Sequence, residues 1–321
     1  MIDYFEWPLP YNEVGPIYLD NVSYIEAVWL TSHNSFASID EGWKYHPLQK
    51  LNLADQFNYG VRAFMIDIHK NSNGELILQH GHNVTLPFTI GRFGFGGVHH
   101  STNSTPFYVS EYFQEIEQLL KMNSQKIITL HVESYVPNKD IKSALQENGL
   151  GGYLLLTNNP NSKELTLGEM RDQNQRLVVL TNKFDYEKGI FGSYLYKETT
   201  YSLEKDQMCV DRGEGRANFN DAHINLFVFN HFYTISCGYN YGYIGAIAKI
   251  VKRDCDLTNE YKVIFKRVNF CLQKNNFPNF IAVDFVERGN FGGAREVVRT
   301  MNSIGKAKMI NDASSCSTKL K

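Results

Sequence analysis

The chain has 321 residues, 43% of them hydrophobic, with 32 Lys and Arg against 34 Asp and Glu and a formal net charge of −2. That is enough apolar material for one large or two small cores, and it excludes a disordered chain. The near-neutral balance supplies no overall basic field and no apolar run approaches the roughly 18 residues of a membrane span, so neither a nucleic-acid partner nor a transmembrane segment is expected.

The first residues, to about 22, read as an extended lead-in with neither a basic start nor an apolar signal core. Apolar runs at 27–30, 61–68, 76–78, 127–132, 177–180, 226–229 and 280–285 then read as buried strands. Helical spacing lies between them. Leu48, Leu51, Ala54 and Phe57 precede Gly60, and Phe113, Ile116, Leu119 and Leu120 follow a predicted cap at Ser110. A third helix is predicted from Asp140 to Gly149, and two later stripes run through Tyr261, Ile264, Val268 and Leu272 and through Ala294, Val297, Val298 and Met301. Strands interleaved with helices, without linker or repeat, predict one α/β barrel over residues 1–303, followed by a polar tail, 304–321, that frays from Lys306.

Five cysteines, odd in number and without a C-x-x-C pair, indicate neither a disulfide scaffold nor a thiolate metal site, and leave one bridge open. Sequons at Asn21, Asn83 and Asn103 arise easily by chance in an Asn-rich chain and carry no weight.

Reactive groups of such a barrel sit at the C-terminal ends of its strands. Here the first run leads into Thr31-Ser32-His33-Asn34-Ser35, the second holds Asp67, and the third leads to His80 and His82. The fourth carries His131 and Glu133, the fifth leads to Asn182 and Lys183, a later one to Asn230 and His231, and the last to Asp284. Ionisable groups at nearly every strand end exceed what packing needs. Two histidines that titrate near neutrality suit a general base and a general acid, and a phosphodiester is a natural target for the pair.

The segments Thr31-Ser32-His33-Asn34-Ser35-Phe36, Gln56 to Gly60-Val61-Arg62 leading to Asp67, and His80-Gly81 resemble the X domain of phosphatidylinositol-specific phospholipase C. Leu165 to Met170, Arg176-Leu177-Val178-Val179, Asn230-His231-Phe232 and Pro278 to Phe285 resemble its single-domain plant, fungal and bacterial branch, over roughly residues 27–301. The resemblance implies a distorted TIM-type (β/α)8 barrel, a phospholipase C-like phosphodiesterase, that works as a monomer on a phospholipid at a membrane surface, either secreted or peripheral. It implies cleavage of phosphatidylinositol-type lipids by internal attack, giving diacylglycerol and a cyclic inositol phosphate. His33 matches the base, His80 the general acid for the leaving group, and Asp284 the acid that orients His33. The last identification is also physical, since the last strand of a closed barrel lies beside the first.

For the metal, the resemblance matches Asn34, Asp67 and Glu133 to ligands of a divalent ion, calcium or magnesium. Met65 stands where a second acid of that strand is expected, which leaves open whether an ion is needed. The metal-independent members carry an Arg at the position of Asp67. Lys183, His131 and His82 are expected to meet the substrate. Arg62 is expected in a buried structural ion pair, and the aromatic, glycine-rich stretches 88–108 and 238–243 read either as lipid-inserting loops or as loops packed on the barrel. Two alternatives remain: a phosphodiesterase for glycerophosphodiester or sphingomyelin-type lipids, whose Glu-x-Asp pattern Met65-Ile66-Asp67 breaks, and a non-catalytic lipid- or glycan-binding barrel.

Overall fold

The computed structural model of the protein describes residues 20–43, 47–80, 107–200, 209–213, 215–232 and 255–311. In chain order they form β1 (Trp29–Ser32), α1 (Leu53–Tyr59), β2 (Ala63–Lys70), β3 (Leu76–Leu78), β4 (Phe107–Tyr108), α2 (Val109–Met122), β5 (Ile128–Ser134) and α3 (Asn138–Glu147). There follow α4 (Leu167–Asp172), β6 (Leu177–Thr181), β7 (Lys197–Glu198), β8 (Phe227–Asn230), α5 (Cys255–Thr258), α6 (Tyr261–Gln273), β9 (Phe280–Val283) and α7 (Gly293–Ile304).

Parallel pairing runs β7-β8-β9-β1-β2-β5-β6. Among the described residues no ladder joins β6 to β7, and only isolated bridges, Leu154 with Leu177 and Leu180 with Phe191, lie on that side of β6. The expected α/β barrel architecture is present, but its ring is not clearly closed.

The apolar runs are buried on both faces, as parallel strands under helices must be. Inside the sheet, Tyr24, Trp29, Ala63, Val178, Leu180, Val228 and Phe280 interlock. Outside it lie Phe113, Ile116 and Leu120 of α2, Ile264, Val268 and Leu272 of α6, and Val297, Val298 and Met301 of α7. Each such side chain contributes roughly 1.5–3 kcal/mol on burial.

Local signals set the ends. Asn52 caps α1 by accepting from the Asp55 amide, and Gly60, at φ +119°, stops it in a backbone conformation open to glycine. Thr166 and Glu169 form a reciprocal capping box on α4.

Several expectations are corrected. Ser110 does not cap α2: Tyr108 precedes the helix in extended conformation, because the chain enters it directly from β4, whose pairing with β3 fixes the approach. Residues 76–78 form a strand, but an antiparallel one that returns along β2 as the arm of a hairpin. Among the described residues Arg62 makes no ion pair. It donates to the carbonyls of Phe57 (2.6 Å) and Val61 (2.7 Å) and lies over the Phe57 ring, so it closes the end of α1.

The tail does not fray at Lys306: residues 306–311 are helical and Met309 is buried in the core. Cysteine usage was also understated, since Cys209 is bonded to Cys271, 62 residues away, and Cys255 is disulfide-bonded as well. Residues 88–106, 238–243 and His82 lie outside the described residues, whereas Phe107 and Tyr108 form β4. No described helix is long and apolar enough to cross a membrane.

Candidate active site

The mouth of the sheet is built from strand register. β1 pairs with β9 so that Ser32 faces Val283, which places His33 and Asp284 side by side one step beyond both strands. The His33 Nδ1–H donates to Asp284 Oδ1 at 2.7 Å, an arrangement that in the neutral ring puts the lone pair on Nε2. The ring stacks on Phe232 at a centroid distance of 3.6 Å and an interplanar angle of 2°, so two independent contacts fix its orientation. Asp284 is 1% exposed, and its Oδ2 has no hydrogen-bond partner among the described residues.

The hairpin of β2 and β3 carries the chain back to the mouth, where the Gln79 amide bonds the Asp67 carbonyl and His80 follows. His80 Nδ1 lies 2.7 Å from the side-chain amide of Asn34 and 3.5 Å from Asp67 Oδ2. The rings of His33 and His80 are 6.3 Å apart and perpendicular. Burial alone would pull the His80 pKa down, but the Asp67 contact and the charges of Asp67, Asp284 and Glu133 outweigh it and raise the pKa above the usual imidazole value. In the protonated form Nδ1 is a donor, so Asn34 then presents its Oδ1 to it.

Asp67 and Glu133 face each other in register across β2 and β5. Burial and, beyond it, the Glu133 charge push the Asp67 carboxyl up against the downward pull of His80. Glu133 accepts from the Tyr135 hydroxyl at 2.6 Å. Asn34, at φ +42° and 2% exposed, is fixed at the same opening. Among the described residues no three His, Cys, Asp or Glu side chains form a metal-holding group; the oxygen-bearing side chains at this opening are the carboxylates of Asp67 and Glu133 and the amide of Asn34. Donors of that kind suit a hard divalent cation, and the raised Asp67 carboxyl is where a cation would relieve repulsion.

One layer below, Met65 pairs with His131 in register and packs with Phe232 and Ala282 as the floor. The thioether therefore fills space beneath the acids. His131 points the same way as Glu133 but is only 6% exposed, lies edge-on to Tyr196, and is pushed down to about 4 by burial. It is a neutral group under the site, with both ring nitrogens unpartnered among the described residues. Lys183 uses its backbone on Thr181 and Ser193, and its side chain makes no bond to the histidine pair among the described residues.

A family model described as PI-PLC X 1 matches residues 100–302. The chain belongs to the PI-PLC X family. A PI-PLC X domain-containing protein of Arabidopsis thaliana is 25% identical over 304 residues, 88% of this chain, and the chain spans only 63% of that relative. The crystal structure of a pentafluoro-Phe-incorporated phosphatidylinositol-specific phospholipase C from Staphylococcus aureus superposes with a TM-score of 0.50 at 12% identity, covering 88% of this chain and 94% of that one. The likeness to the bacterial structure shows the fold, a PI-PLC-like phosphodiesterase fold.

Across this PI-PLC X mouth stands a group that the sequence did not disclose. Glu198, at the end of β7 and fully buried, accepts from Arg212 (2.7 Å), Arg216 (2.7 Å) and the Asn230 amide (2.9 Å). Burial opposes its charge, but the two guanidiniums overcome it and hold its carboxyl down at about 2. Both arginines come from a loop that the Cys209–Cys271 bridge ties to α6.

Proposed function

We propose that the chain cleaves phosphatidylinositol-type lipids by internal attack. The observation that carries this reading is the pair of histidines held perpendicular across one opening, one oriented by Asp284 and the other biased toward its protonated form. The inositol hydroxyl next to the phosphodiester attacks phosphorus and gives its proton to His33 Nε2. The bond from phosphorus to the diacylglycerol oxygen breaks, and His80 protonates that oxygen. The products are diacylglycerol and a cyclic inositol phosphate, and charge is conserved because one proton is taken and one given.

Asn34, Asp67 and Glu133 would hold a divalent ion that offsets charge on the phosphoryl oxygens when bound. Family membership supports the reading, and so does the disulfide chemistry, which suits an oxidising compartment and a lipid surface outside the cytosol.

The test is phosphorus NMR of the full chain with phosphatidylinositol vesicles, run with calcium, with magnesium and with a chelator. A cyclic phosphate signal that needs a divalent ion is expected. Turnover unaffected by the chelator removes the metal from the proposal. No turnover of phosphatidylinositol in any arm, together with cleavage of a glycerophosphodiester or of sphingomyelin, overturns the head-group assignment.

The mouth carries exposed aromatics. Phe184 is 61% and Tyr186 74% exposed in the segment after β6, and Tyr135 follows β5 on the same side. Such a rim suits insertion into a lipid surface. Changing Phe184 and Tyr186 together to Ala is expected to weaken partition onto phosphatidylinositol vesicles roughly tenfold, the equivalent of about 1.4 kcal/mol of apolar burial. Sedimentation with sucrose-loaded vesicles reads this, and unchanged partition would exclude the rim from membrane contact.

A further inference from the structure

The opposite end of the sheet holds a second opening. β7 begins at Lys197 and β8 at Phe227, and the N-terminal edges of these strands, the end of α6 and the helical residues after α7 enclose a cavity of about 480 Å³. It lies at the far ends of the strands from Glu198 and Asn230 and shares no lining residue with the histidine site.

Four lysines line it: Lys163, Lys197, Lys274 and Lys306. Among the described residues none of them pairs with a carboxylate; those that are held are held by neutral oxygens. Lys197 Nζ donates to the Phe219 carbonyl (3.1 Å) and Asn276 Oδ1 (3.0 Å), and Lys274 Nζ to the Cys209 carbonyl (2.7 Å). Lys306 Nζ makes long contacts, 3.3 Å to the Ile25 carbonyl and 3.4 Å to Asn225 Oδ1, and lies 5.6 Å from the centre of the Phe277 ring, while Lys163 is exposed on the rim.

Burial, then the positive charges of Lys163 and Lys197, press the Lys306 ammonium down to about 8 against the opposing pull of Glu26. Glu26 and Asp221 are the carboxylates in the wall, so the lining carries an excess of two positive charges. An arrangement of mutually repelling, partly desolvated ammoniums is stabilised by a bound anion.

The remaining wall indicates what accompanies the charge. Asn220 and Asn275 offer amides that both donate and accept, while Phe219 and Phe277 form an apolar side. The volume falls in the range of small-ligand sites.

We infer that this cavity binds a small phosphorylated polyol, its phosphate against Lys163 and Lys306 and its hydroxyls against the asparagines, at a site separate from the histidine pair. Glu26 and Asp221 then accept from hydroxyls and select against anions of high charge.

Isothermal titration calorimetry of the full chain tests this with inorganic phosphate, glucose phosphate and free glucose. Saturable binding of glucose phosphate is expected, tighter than that of inorganic phosphate, with no heat from glucose. Lys306→Met and, separately, the exposed Lys163→Met should each weaken it roughly tenfold, the size of one charge-assisted hydrogen bond. His33→Ala should bind as the parent chain does. The inference is overturned by the absence of saturable heat up to about 10 mM ligand, by affinity that neither lysine variant changes, or by binding that disappears in His33→Ala, which would locate the anion in the other mouth. Failure of phosphatidylinositol turnover leaves these outcomes readable, because none depends on catalysis.

Discussion

His80→Ala is expected to lower turnover of phosphatidylinositol about a hundredfold to ten-thousandfold, the range for loss of a positioned general acid. The alkoxide leaving group of diacylglycerol is a poor one without a proton, and His80 is the group at this mouth whose surroundings favour carrying that proton near neutrality. His33→Ala should be comparable through loss of the base. The two differ with a substrate whose leaving group is an acidic phenol. Such a leaving group departs without protonation, so His80→Ala should recover much of its rate while His33→Ala should not. Steady-state rates on the lipid and on an inositol phosphodiester of a nitrophenol make the comparison. Equal loss on both substrates for both variants would remove the acid role from His80 and leave it as a support for Asn34 and Asp67.

Much of this mouth was legible because its parts sit on strong local patterns. His33 and Asp284 each follow an apolar run, and the rule that the last strand of such a barrel lies beside the first brings them together, as the pairing of β1 with β9 does. Asp67 and Glu133 sit in the two longest strands, where alternation alone gives the facing side.

The direction of residues 76–78 was not readable, since three apolar residues carry no sign of parallel or antiparallel pairing, and only the turn at 71–75 sets it. His131 shares a face with Glu133, but alternation says nothing about depth, and the structure puts it a layer too low to meet a ligand at the surface. Glu198 escaped notice because its strand has two residues and no hydrophobic run. Its arginine partners stand in a glycine-containing polar stretch that reads as an ordinary loop, and the bridge that holds this loop joins cysteines 62 residues apart, a proximity only tertiary structure creates.

Glu198→Gln should accordingly be the most destabilising single change at the mouth, by about 3–5 kcal/mol, the range seen when one partner of a buried charge pair is removed. The amide keeps the shape and the Asn230 contact, but Arg212 and Arg216 lose the carboxylate they share in a site where both side chains are largely withdrawn from water. The sign of the pH dependence follows from the depressed carboxyl. Glu198 goes from an ordinary value of 4.5 to about 2 in the folded chain, so its stabilisation is fully present above about pH 4.5 and is lost as pH falls toward 2. Urea unfolding midpoints at several pH values should therefore show the largest gap between the parent chain and Glu198→Gln near neutrality, narrowing steadily in acid. A gap that stays constant down to about pH 3 would mean that Gln fails for reasons of packing rather than charge. A variant as stable as the parent at neutral pH would mean that the two arginines are balanced by the carboxylates across the mouth, which would make Glu133 the group to change next.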